Sequence, residues 1–248
     1  MYRRFEHWSA AHILIVALTG IVAACLIFLA RRHEGRAFTF KIGHALGAIL
    51  LLNYFVYVGY RIHAGLWMIR YDLPMELCNW AALATMFAFF THNRTLAEIA
   101  YFWVMAGSIN GVISPDLPFS FPHIYFFIFH IAHSGLVIGS LYLVFGLKWY
   151  PRPGAIRRVF IVSQIYLATA FVINYALGGN YGYTMAKPQA ASLFDYLGPW
   201  PYYLFSLEVM ALILYTLLYV PFYFYNRRKK AFLIFFCSKY FLFSRHYH

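Results

Sequence analysis

The sequence predicts an all-α, polytopic membrane protein of about seven transmembrane helices, with its N-terminus outside, its C-terminus inside and a polar pocket toward the outer leaflet. Three observations predict the helices and their direction. Hydrophobic residues fill 62% of the 248 positions and charged residues only 11%, a balance too apolar for a soluble globular domain. Seven stretches are long and apolar enough to cross a hydrocarbon core of about 30 Å. The basic residues are unevenly shared between the connections. With the N-terminus outside, only Arg3, Arg4, Arg61, Arg70 and Lys187 of the 20 Lys and Arg face outward, and the other 15 face inward. That bias follows the positive-inside rule. It also explains the formal charge of +12 without nucleic acid, for which there is no motif.

The first span, 9–30, is too long for a signal-peptide core and lacks a small-residue cleavage site, so it reads as a retained span. The second, 40–62, carries His44 and Asn53. The third, 73–91, opens YDLPMELCNWA, with Pro74 suited to a helix's first turn and Glu76, Cys78 and Asn79 close behind it. The fourth, 96–114, ends GSINGVISPDL and brings Ser108, Asn110, Ser114 and Asp116 to the external half; its small residues equally suit close helix packing. The fifth, 122–146, has no Lys, Arg, Asp or Glu from Leu117 to Gly146, yet carries His123, His130 and His133. At about 100° per residue these three fall within roughly 80° of one another.

The sixth span, 157–177, ends FVINYALGGNYGYT and places Asn174, Asn180 and Tyr181 externally. A loop of about 24 residues follows, and loops of that length are commonly lids or binding loops. The seventh span, 202–225, is closed by the basic run 227–230, a stop-transfer flank and secondarily an anionic-lipid contact. The chain thus divides into a transmembrane domain, 1–230, and a short apolar and basic cytoplasmic tail, 231–248, which is too short to span. Cys237 in that tail reads as a plain cytoplasmic thiol or a palmitoylation site.

The polar ends of spans three to six share one depth. Polar groups in lipid must be paired or line a wet cavity, so these four spans are expected to surround one pocket under the 179–201 loop, lined by Cys78, Asn110, His130, His133 and Asn180. Mutual satisfaction of the histidines inside the bundle is the plain structural alternative. A cysteine beside a histidine is the minimal nucleophile and base, and the helix start before Cys78 would favour a thiolate or an oxyanion; a buried cysteine can also serve only as a small hydrophobe. His123, His130 and His133 with Asp116 are ligand types zinc accepts. Residues 123 and 133 are about 15 Å apart along the axis, which argues against a shared metal, so no metal or cofactor is expected. Cys25, Cys78 and Cys237 form no CxxC pattern. A retinal Schiff base is excluded by the absence of lysine from 202–225.

In the blocks LPMELCNWA, GSINGVISPDL, FPHIYFFIFHIAHSGLV and NYALGGNYGYTMAKPQAASLFDYLGPWP, from roughly residue 8 to 228, the chain resembles the YwaF-type family of small bacterial integral membrane proteins. That family is similar to the transmembrane protein 164 acyltransferases and, more remotely, to the androgen-induced membrane lipid hydrolases. The resemblance implies acyltransfer or lipid-ester hydrolysis by a Cys/His pair in the inner (cell) membrane, on a phospholipid or other acyl lipid. The cysteine of LPxxLC falls on Cys78. The histidine falls on His133, with His130 one turn earlier as the alternative base, and Glu76, Asn110, Asp116, His123, Asn174, Asn180 and Tyr181 would support or bind substrate. The competing class is a non-enzymatic lipid-binding or small-solute transport protein with the same polar pocket.

Overall fold

The computed structural model describes residues 5–188 and 193–244, with side chains from 230 onward and at 193 outside the described set. Its helices are α1 (Ala10–Arg32), α2 (Ala37–His63), the single turn α3 (Ile69–Asp72), α4 (Leu77–Thr91), α5 (Arg94–Trp103), the single turn α6 (Asn110–Ile113), α7 (Ile124–Leu141), α8 (Ala155–Leu177) and α9 (Tyr202–Ser244). There is no strand among the described residues. Six stretches are long and apolar enough to cross a membrane, so the protein is an all-helical, polytopic membrane protein.

Local sequence explains the breaks. Ser9 caps α1, its hydroxyl accepting from the His12 amide at 3.4 Å. Helix α4 ends at His92 in the left-handed region (φ 55°), and the next residue, Asn93, caps α5 by accepting from the Thr95 and Leu96 amides at 2.9 and 3.2 Å. Two residues therefore make a tight hairpin of α4 and α5. Helix α8 is bracketed by Gly154 and Gly178, at φ 79° and 65°, where a side chain would strain the backbone.

Two π turns interrupt the apolar helices. Val104–Ser108 joins α5 to α6, and Tyr142–Gly146 extends α7. The fourth expected span, 96–114, is thus one stretch with a changed register in its middle. The third expected span, 73–91, is shorter than expected. Its helix is the 15 residues Leu77–Thr91, about 22 Å long, and 73–76 are extended because Pro74 and the Met75-to-Leu73 turn precede the helix. Non-helical backbone at that depth is tolerated where protein surrounds it. The helical backbone of α9 continues through Pro221 and past residue 230 to Ser244.

Helix α7 is central: it packs on α1, α2, α4 and α5, while α8 packs on α5 and α9. The core is built from Ala81, Ala88, Phe89, Phe102, Trp103, Tyr142 and Leu143. Outward apolar residues such as Leu14, Leu52, Val172 and Leu217 are exposed and suit lipid contact.

Contacts at the two ends show the chain alternating between them. At one end Arg31 donates to Phe145 O and Tyr150 Oη, Arg94 to Lys148 O, and Asn226 to Pro151 O. Lys148 pairs with Glu34 there. Buried Glu98, 1% exposed, binds the Arg152 and Arg158 guanidiniums. At the other end His12 bonds Val112 O, Asp72 pairs with Arg61, and Glu76 accepts from the Gly182 amide. Among the described residues six long apolar helices and the shorter apolar helix α4 run between these ends. The basic, Lys148 end is the one that the charge bias expects inside.

Candidate active site

Cys78 is the second residue of α4, in a first turn whose amides lack intrahelical partners. The free amides of this first turn are donors of the kind that can stabilise a developing oxyanion. The side chain is partly buried and packs against the main core. Glu76 is the N-cap, and its carboxylate accepts from the Gly182 amide at 3.0 Å.

The His133 ring rests on α6. A Cβ at Gly111 would lie 2.1 Å from Cδ2 and 2.6 Å from Nε2 of His133, and a Cβ at Gly107 would lie 3.3 Å from Leu77, the residue before Cys78. Gly107 and Gly111 are four residues apart, about 6 Å along a helix. Gly111 of α6 thus meets the His133 imidazole, and Gly107, in the π turn before it, meets Leu77 at the start of α4. His133 Nδ1 lies 3.0 Å from Phe129 O. A carbonyl only accepts, so Nδ1 carries the proton and Nε2 keeps its lone pair. The ring also stacks on Phe129, centroids 4.1 Å apart.

The other histidines have different surroundings. His130 is buried against Phe5, Phe126 and Phe129, and neither ring nitrogen has a hydrogen-bond partner among the described residues. Going around α7 at 100° per residue, His133 lies between Tyr125, which is within electrostatic reach of Cys78, and His130, which faces the His12 side. His123 is the N-cap of α7, with Nδ1 accepting from the Tyr125 amide at 3.1 Å. Among the described residues no group of three or more His, Cys, Asp or Glu is placed to hold a metal ion.

The three polar residues at and after the end of α8 build a scaffold. Asn174 is buried and donates to Tyr181 O and Thr184 Oγ1, at 2.8 and 2.7 Å, while accepting from the Tyr181 amide at 2.8 Å. Asn180 bonds the Met185 and Ala186 amides and Ala186 O. The Tyr181 hydroxyl donates to Ile69 O at 2.6 Å and accepts from the Leu73 amide at 2.9 Å. Together they clamp the 178–188 turn onto α3. Asn110 and Asp116 are both exposed, and Asp116 lies within electrostatic reach of Tyr183. The lid expected over 179–201 is described except for 189–192; Trp200 ties it back by donating to Thr184 O at 3.1 Å.

Sequence reasoning missed three features. Asp72 is buried and binds Arg61, the Tyr57 hydroxyl and the Met68 amide. Burial alone would raise its pKa, but those hydrogen bonds hold its carboxyl below the usual carboxylate value. His12 is fully buried, accepting from the Trp8 amide at Nδ1 and therefore donating from Nε2 to Val112 O at 2.9 Å. Gly111 leaves room for the His133 ring, and its spacing of four from Gly107 in GSING is the signal in the sequence.

Fold and site define a helical, polytopic membrane protein with a cysteine in the first turn of a short apolar helix. The sequence profile of the TMEM164 family matches residues 6–219, and the chain belongs to that family. No curated protein sequence and no solved structure matches it.

Proposed function

We propose that this protein is an acyltransferase or lipid-ester hydrolase of the cell membrane, with Cys78 as nucleophile and His133 as base. The observation that carries the reading is the tautomer of His133. Phe129 O occupies Nδ1–H, so the lone pair sits on Nε2, against Gly111, four residues after the Gly107 that meets Leu77. His133 rather than His130 is the base, because His130 faces the His12 side of α7.

In the first half-reaction Nε2 takes the Cys78 proton and Sγ attacks the carbonyl carbon of a phospholipid or other acyl ester. The C–O bond breaks, and the imidazolium returns its proton to the departing alkoxide, leaving a thioester on Cys78. In the second, an acceptor alcohol or water attacks the thioester. Its proton passes through His133 to the sulfur as the C–S bond breaks. An alcohol gives transfer and water gives hydrolysis. Free amides in the first turn of α4 would stabilise the oxyanion in both halves.

The test is intact-protein mass spectrometry after purification with native lipids. Wild type is expected to carry an acyl adduct that hydroxylamine removes, and Cys78→Ala none, with His133→Ala strongly slowed in labelling by an acyl-type probe. An unmodified wild type that binds lipid as well as Cys78→Ala would instead support a lipid-binding or transport protein.

A further inference from the structure

Two buried side chains inside the bundle, Ser108 (7% exposed) and His130 (3% exposed), keep polar atoms without a hydrogen-bond partner among the described residues. They are Oγ of the serine and both ring nitrogens of the histidine. The other buried helical hydroxyls are spent on their own helix: Thr19, Thr39, Thr85 and Ser140 each donate to a carbonyl three or four residues back. Ser108 differs because it ends the π turn Val104–Ser108. There Val104 O, four residues back, accepts from the Ile109 amide at 2.8 Å. Such π turns are frequent at functional sites.

His130 has no substitute partner around it. The rings of Phe5, Phe126 and Phe129 wall it in. His12 also touches Phe5, centroids 5.4 Å apart, but its Nδ1 is taken by the Trp8 amide and its Nε2 by Val112 O. A neutral imidazole presents one N–H and one lone pair, and burying both unpaired among apolar rings is costly.

Both residues flank His133. On α7, His130 precedes it by three residues, about 60° around and 4.5 Å along the axis, so their Cβ atoms are about 5–6 Å apart. On the facing segment the His133 ring occupies the place of a Gly111 side chain. A Cα–Cβ bond tilts toward the helix N-terminus, here toward the turn that carries Ser108. Residues three apart share a helix side, so Ser108 and Gly111 face α7 together.

Resting on the reading of Cys78 as nucleophile and His133 as base, we propose that Ser108 and His130 bind the oxygen of the acyl acceptor, an alcohol or water, at His133 Nε2. A hydroxyl oxygen has two lone pairs and one proton. It accepts from the Ser108 hydroxyl and from the His130 N–H, and it donates to the lone pair that His133 keeps on Nε2. As that proton moves to Nε2, the oxygen bonds to the thioester carbonyl carbon. The C–S bond then breaks, and the proton passes from His133 to the sulfur. When a lipid ester is the donor, the departing alcohol leaves through the same place, so the test needs a donor whose leaving group requires no proton.

The full-length protein in detergent is acylated with a p-nitrophenyl fatty-acyl ester. Release of p-nitrophenolate times the first half-reaction, and intact-protein mass spectrometry times the loss of the thioester. The loss is followed in water enriched in heavy oxygen, with and without an added lysophospholipid. Labelled fatty acid reports water as acceptor, and a lysophospholipid that has gained the acyl chain reports the alcohol. Ser108→Ala and His130→Leu are each expected to slow thioester loss about tenfold and to leave p-nitrophenolate release as in wild type. Loss at the wild-type rate in either variant overturns the proposal and leaves Cys78 and His133 in their roles. Both steps slowed alike assigns the two side chains to packing and also overturns it. A wild type that never carries the thioester removes the underlying reading, and this acceptor site with it.

Discussion

The imidazole of His133 lies against the bare backbone of Gly111, so closely that a methyl group there would sit 2.1 Å from Cδ2. No side chain fits between α6 and the ring. Gly111→Ala should therefore push the ring off Nε2's present position and slow Cys78 acylation as severely as His133→Ala, with the thermal transition of the helical bundle changed by only a few degrees. Probe labelling of the two variants side by side checks it, and wild-type labelling of Gly111→Ala would refute the contact's importance.

Asn174→Ala should loosen the turn that carries Tyr183. The variant leaves the Tyr181 amide and carbonyl and the Thr184 hydroxyl without the partner they now have. Each lost partner at a buried group costs about 1 kcal/mol or more, so a loss of about 3 kcal/mol is expected in denaturant or thermal unfolding in detergent. Limited proteolysis should then cut within 178–188 in the variant and spare wild type.

Asp72 makes the same end of the molecule sensitive to acid. Its folded carboxyl titrates below the unfolded value, so its contribution to stability is fully present above the unfolded pKa of about 3.9 and is lost as pH falls through the folded one. Wild type should be more stable than Asp72→Asn at neutral pH, and the difference should shrink below about pH 4. Thermal unfolding of both proteins across pH 3–7 measures it; a difference constant over that range would contradict the assignment.

At the basic end, Glu98 binds two arginines from one buried carboxylate. Glu98→Ala would leave the Arg152 and Arg158 guanidiniums without their counter-charge. Because both arginines are a third or more exposed, the cost is less than for a fully buried pair, about 2 kcal/mol. Arg152→Ala should cost less than Glu98→Ala, since Arg158 still neutralises the carboxylate.

Sidedness rests on charge alone, and labelling decides it. A cysteine placed at Gly154, in a Cys-free background, is expected to be shielded from an impermeant reagent in intact cells, and one placed at Gly198 to be labelled. The reverse pattern would invert the topology and move the Cys78 end to the cytoplasmic side.

What the sequence determined by itself follows from one-dimensional physics. Apolar length against bilayer thickness located the helices, and spacing at 100° per residue put His130 and His133 about 60° apart on α7, whereas His123, expected on the same helical face, is its extended N-cap. The resemblance added Cys78. These rules read only neighbours along the chain. They could not see that Leu73–Glu76 would be extended, that a π turn at Val104–Ser108 would reset the register ahead of Gly111, or that Asn174, Asn180 and Tyr181 would spend their polar groups on the 178–188 turn. Those outcomes depend on partners as far as 112 residues away, because a buried polar group takes whichever hydrogen-bond partner packing brings to it. For the same reason only the tertiary structure separated His133, held as the Nδ1–H tautomer by Phe129 and seated on Gly111, from His130, turned toward His12 among phenylalanines.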